Sequence, residues 1–129
     1  MALRTANTCI DAHDPIAQAT WWEQVLDDYS RHDEGAWDDS EAELRGPGGR
    51  WLEFLKVPEG KTVKNRMHFC LRPVDSDRDA EVERLLGLGA SMVDDLRDGE
   101  QGWAVLADPE GNEFCVLAAS AEAVGISRG

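Results

Sequence analysis

Two phrases of the chain, residues 46–55 (GPGGRWLEFL) and residues 108–117 (DPEGNEFCVL), echo one another at a distance of 62 residues. Pro47 matches Pro109 and Gly49 matches Gly111, while Leu52 and Phe54 match Phe114 and Val116. Glu53 and Cys115 stand at the same place after their respective prolines. Upstream, a shift of 61 lays Asn7-Thr8-Cys9-Ile10 on His68-Phe69-Cys70-Leu71, Asp14 on Asp75 and Val25 on Leu86. One matching turn arises easily by chance; a match in order from first strand through helix to last strand points to a duplicated unit. The expected organisation is module one at residues 1–60 and module two at 61–118, with 119–129 as a C-terminal tail.

Local signals fill in each module. Residues 4–11 alternate as a strand, and Asp14-Pro15 supplies a capping carboxylate with proline at the first helical position. The helix is expected to reach about Asp27, with Ala17, Trp21 and Val25 recurring every fourth residue. Residues 29–33 and 40–45 are short polar strand candidates flanking a loop at 33–39 that carries Trp37. A turn at 46–49 leads into a strand at 50–57, and 58–64 links the modules. The second module repeats the series: a strand at 65–72, a capping box at Ser76 to Asp79, and a helix with Val82, Leu85 and Leu86 inward. Gly87 and Gly89 stop that helix, and strands follow at 90–96, 101–106 and 112–118. Strand, helix, then three strands, written twice, gives an α+β protein.

Composition narrows the function. A formal charge of −13 argues against nucleic acid, because binding a phosphate backbone needs clustered Lys and Arg. No apolar run approaches the length of a spanning helix, and MALRTANTC lacks the apolar core of a signal peptide. Three cysteines in strand-like segments do not form a secreted disulfide framework. Together these features predict a cytoplasmic protein with no membrane partner. Ser-His-Asp order, a Gly-rich phosphate loop and a Cys-x-x-Cys motif are all missing from the sequence.

Alternation then separates two faces. Thr8 and Ile10, Leu52 and Phe54, Met67, Phe69 and Leu71, and Phe114 and Val116 form an apolar face suited to lie beneath the helices. The other face carries Asn7, Cys9 and Asp11; Trp51, Glu53 and Leu55; His68, Cys70 and Arg72; Glu113, Cys115 and Leu117. Charged groups stay out of a dry core unless paired. This face is therefore either solvated sheet or the wall of a wet cup, and the duplication favours a cup enclosed by two copies of one curved unit.

In these paired modules, in DPEGNEFCVL and in NRMHFCLRP after VPEGKTVK, nearly the whole chain resembles the vicinal oxygen chelate superfamily. That group includes glyoxalase I, bleomycin-resistance proteins, extradiol dioxygenases and thiol transferases for fosfomycin. The resemblance is strongest to its glyoxalase-like branch. It implies two βαβββ modules forming a curved mixed sheet around a cup, with helices outside. In metal-using members the ligands, usually His and Glu, come from the first and last strands of each module. The matching positions here are Asn7, Glu53, His68 and Cys115, of which Glu53 and His68 keep those ligand types. A neutral Asn amide is a weak donor for a transition metal. The expectation is therefore no catalytic metal and no other cofactor; were a divalent ion present, Glu53, His68 and Cys115 would be its ligands.

Each candidate has a structural rival. Cys115 is also a reasonable small filler of a partly buried position, and His68 serves equally as a satisfied structural histidine or an acid–base group. Arg72 suits an anionic ligand, or an ion pair with Asp11 or Glu113. Trp21 and Trp22 read as core, whereas Trp51 and Trp103 are better placed to stack a ligand. A Cys9–Cys70 disulfide is not expected in a reducing cytoplasm. The reading is a protein that binds a small organic ligand, aromatic or anionic, through Asn7, Trp51, Arg72, Trp103 and Cys115. The alternative is a lyase or isomerase in which Glu53 and His68 act as base and acid. The partner is a small molecule in either case, and the resemblance is compatible with a homodimer.

Overall fold

The computed structural model describes residues 1–32 and 37–127. Part of the expected loop at 33–39, the end of the strand candidate at 29–33 and the last two residues of the tail lie outside the described residues. The chain forms two compact units, Met1–Gly60 and Lys61–Ser127, each with its own sheet.

Unit one contains β1 (Asn7–Ala12), α1 (Pro15–Val25), β2 (Glu41–Arg45) and β3 (Trp51–Lys56). Strand order is β1-β3-β2, with β3 parallel to β1 and antiparallel to β2. Beyond β2, Ser30 forms a single antiparallel bridge to Arg45, all that remains of the strand candidate at 29–33 among the described residues. Helix α1 starts as the sequence indicates: Asp14 accepts a hydrogen bond from the Ala17 amide at 3.1 Å, and Pro15 occupies the first turn. Its buried stripe differs from the expected one. Ala17 is exposed, and Pro15, Gln18, Ala19, Trp21 and Trp22 face inward. The two tryptophan rings meet edge to face, 5.0 Å apart, over Ala42, Leu44, Leu52 and Phe54.

Unit two contains β4 (Cys70–Leu71), α2 (Arg78–Gly87), β5 (Ser91–Asp98), β6 (Gln101–Ala107) and β7 (Glu113–Val116). Strand order is β4-β7-β6-β5, with β4 parallel to β7 and the other pairs antiparallel. In both units the first strand therefore pairs in parallel with the last, and the penultimate strand lies on the last strand's other side. Helix α2 is capped by Asp77, which accepts from the Ala80 amide at 2.8 Å. The cap thus lies one residue beyond the expected Ser76, and with Ala80 three residues on it is a single-sided cap and not the expected capping box. At the other end Ala90 N donates to Leu85 O and Gly89 N to Leu86 O, with Gly89 at φ +108. This Schellman closure accounts for the glycine stop. Val82, Leu85, Ala104, Leu106, Phe114 and Val116 make the core.

The first strand of unit two is much shorter than the sequence indicates. Arg66 and Met67 form a bend, and Met67, expected in the core, is 88% exposed. Asn65 takes over the pairing with its side chain: Oδ1 accepts from the Glu113 amide at 2.9 Å. The tail carries a short helical extension. Ala121 N donates to Pro73 O, and Glu122–Val124 forms a 3-10 turn, so ordered structure runs past residue 118.

Candidate functional site

In unit one, the β1–β3 register sets Cys9 opposite Glu53 and Asn7 opposite Trp51. Asn7 Nδ2 donates to Glu53 Oε2 at 3.4 Å and to Cys9 Sγ at 3.2 Å. The Cys9 thiol donates to the same carboxylate oxygen at 3.6 Å. Burial pushes the Cys9 thiol up, and the Glu53 carboxylate pushes it further, so Cys9 stays protonated and is a poor nucleophile. Trp51 is half-buried, and the Arg45 guanidinium covers its ring at 4.7 Å. Its buried Nε1 has no hydrogen-bond acceptor among the described residues.

Unit two gathers a different set. Cys70 and Cys115 are direct partners across parallel strands, and His68 precedes Cys70 by one alternation period. Donor atoms of His68, Cys70 and Cys115 all lie within 4.8 Å of one another, with His68 and Cys70 exposed and Cys115 buried. Burial raises the Cys115 pKa, and the Cys70 thiol raises it further. All three cysteines of the chain are free thiols. Sequence reasoning singled out His68 and Cys115 but not Cys70 as a ligand. The available signal was the pairing that the repeat implies, which sets Cys70 beside Cys115 as it sets Cys9 beside Glu53.

The remaining candidates of unit two lie on the same sheet face. Val105 is the cross-strand partner of Cys115, so Trp103, two residues along β6, continues that face level with Leu117. Leu117 N bonds Leu71 O, which brings Arg72 level with the same row. Two strand spacings separate Arg72 from Trp103, about 10 Å. Trp103 is 43% exposed. Arg72 donates Nη1 to Ala119 O at 3.1 Å and meets no carboxylate among the described residues of its unit. The expected alternative pairing with Glu113 does not form, because Glu113 binds Lys61 at 2.9 Å and the Asn65 amide at 3.3 Å. Burial would raise the Glu113 pKa, yet the Lys61 ammonium and the amide donors outweigh it and hold the carboxyl below its ordinary value.

The DPEG phrase at residues 108–111 is structural. Asp108 is 3% exposed, and its Oδ1 accepts from the amides of Glu110 and Asn112, each at 3.0 Å. It closes the turn that aims β7.

A sequence model described as "Glyoxalase-like domain" matches residues 7–117. Solved structures resemble the chain over most of its length. A fosfomycin resistance protein, FosX of Mesorhizobium loti, is 17% identical, with 96% of this chain and 98% of that one covered and a TM-score of 0.66. A possible glyoxalase from Bacillus cereus is 18% identical, covering 90% and 99%, with a TM-score of 0.67. A FosX variant of Listeria monocytogenes, complexed with Mn(II) and a dihydroxypropylphosphonic acid, is 16% identical over 95% and 94%, at 0.67. At these identities the likeness establishes the fold. No curated protein sequence matches the chain.

Proposed function

The chain belongs to the glyoxalase-like domain family, and from that premise we propose that the polar face of its second unit binds a small organic ligand with a planar body and an anionic group. The observation that carries the proposal is Arg72. In a protein with a formal charge of −13, this guanidinium meets no carboxylate among the described residues of its unit and donates to the Ala119 carbonyl. A cation held in this way can still take a carboxylate or phosphonate through charge-assisted hydrogen bonds. His68 lies two alternation periods away on the same segment. Trp103 and Leu117 offer an apolar row on which a ring can rest. Trp103 is the better stacking surface, because one face of Trp51 is already covered by Arg45. The small organic anion in the Listeria FosX complex supports this ligand class.

That complex also holds Mn(II), a metal that prefers oxygen and imidazole donors. The donors that converge in unit two are one imidazole and two thiols, a poor match for such an ion.

A thermal-shift screen of aromatic and phosphonic acids tests the reading, with tryptophan fluorescence as a second readout. Hits should quench fluorescence in the wild type and lose the quench in Trp103→Phe. Binding should weaken by about tenfold in Arg72→Ala, the loss of one charge-assisted contact. Equal affinity in Arg72→Ala and Trp103→Ala would refute the site. The acid–base alternative gains the lead if a hit is turned over and Glu53→Ala abolishes turnover with binding intact.

A further inference from the structure

We propose that His68, Cys70 and Cys115 form a site for a thiophilic divalent cation of the zinc class, built entirely within the second unit. Three features support it. The donors are of the right kind: thiolate and imidazole select zinc and its relatives over the hard, oxygen-seeking cations. The spacing is also close to what is required. Tetrahedral bonds of about 2.3 Å to sulfur and about 2.0 Å to nitrogen separate the donor atoms by about 3.5 to 3.8 Å, and the present set lies within 4.8 Å without an ion. Small rotations of exposed side chains close that gap.

The backbone supplies the third feature. Cys70 and Cys115 are directly opposed on parallel strands, with Cys115 N bonded to Phe69 O at 2.9 Å. Residues 66–67 bend, and His68 stands exposed just before β4 begins at Cys70. Cys115 forms a buried wall while His68 and Cys70 stay open to solvent, so an ion has a path in and a fourth position for water or an anion. Each cysteine would surrender its proton to buffer on binding. The equivalent positions in unit one hold Asn7, Cys9 and Glu53, already hydrogen-bonded among themselves. The softer donor set of unit two is therefore specific to that copy.

The cation site needs no organic ligand, so the titration uses the metal alone. Reduced, metal-free protein is titrated with Co²⁺, and Zn²⁺ is then used to displace it. One equivalent of Co²⁺ should bind, with the thiolate-to-cobalt charge-transfer absorption that oxygen ligands do not give. Cys70→Ser should reduce that absorption and weaken binding by at least about tenfold, as one of three anchoring ligands is lost. Because Cys70 is exposed, its replacement leaves the core intact, and circular dichroism verifies this. His68→Ala should weaken binding similarly, and Cys9→Ser should leave it unchanged. Absence of charge-transfer absorption overturns the proposal. So does binding that survives Cys70→Ser but is lost in Glu53→Ala, since that result would place the ion on a different set of residues.

Discussion

Asp108 illustrates how one side chain directs a strand. Its carboxylate is nearly sealed from solvent and is satisfied by the amides of Glu110 and Asn112 and by Asn112 Nδ2. Gly111, at φ +92, completes the turn. The matching residue of the first copy is Gly46, where an added Cβ would lie 2.3 Å from the Tyr29 ring. That position therefore has no room for a side chain, and the two units close the same turn by different means. Asp108→Ala leaves several buried donors unmet and should cost about 2 to 4 kcal/mol, read from the urea midpoint. Glu113 gives a pH signature. Its folded-state pKa is lowered, so its contribution to stability is present above the ordinary glutamate value and is lost as the pH falls through the folded one. Lys61→Met should raise the Glu113 pKa in a carboxyl NMR titration and reduce the wild-type advantage near neutrality; an unmoved pKa would refute the pairing. Alternation alone placed Cys70 on the polar face, but a small thiol on such a face reads equally as filler. Its neighbour Cys115 lies far along the chain, and only strand pairing brings them together.

Elements show a similar division between what is local and what is not. Helix starts, the glycine stop of α2 and the apolar alternation of β3 and β7 depend on neighbours a few residues away, and they were legible. The shortening of β4 was not. Residues 65–69 have strand-like composition, yet the Asn65 side chain competes for the Glu113 backbone and replaces a ladder bond. Arg78 was missed for the same reason. It reads as an ordinary first-turn residue of α2, but it is 5% exposed and donates to the carbonyls of Gly99, Gln101 and Gly102. It ties the helix start to the β5–β6 hairpin, whose turn needs Gly99 at φ +59. Beyond it, Asp79 and Arg97 carry the network to Asp95, whose carboxyl the Arg97 guanidinium and amide hold at about 2. Arg78→Ala should destabilise the protein by about 3 kcal/mol, the cost of several buried charge-assisted bonds. Amide exchange should speed up first in β5 and β6. Uniform acceleration through β7 would mean that the arginine supports the whole unit and not the hairpin.

At the scale of the whole molecule the dominant quantity is charge. The chain carries 26 acidic and 13 basic residues, and several of the cations are already committed to local pairs such as Arg84–Glu81 and Lys61–Glu113. Two opposing effects of salt follow. Screening weakens each exposed pair, but such pairs contribute only about 0 to 1 kcal/mol apiece. Screening also relieves the mutual repulsion of the unpaired carboxylates, which acts across the surface and opposes the compact state. With a formal charge of −13 the second effect is larger. Raising NaCl from low concentration to about 0.3 M shortens the screening length from tens of ångströms to below about 8 Å, and Tm should rise by about 3 °C. Choline chloride should act equally well, because the effect depends on ionic strength and not on an ion bound at one place. Lowering the pH modestly toward the sequence pI of about 4.5 should reduce the salt response, as the repulsion that salt screens is removed by protonation. A Tm that falls with either salt would show that the local ion pairs outweigh the net charge. A response to a zinc-class cation at micromolar concentration, with none of comparable size from NaCl, would locate the electrostatic stabilisation at His68, Cys70 and Cys115 instead.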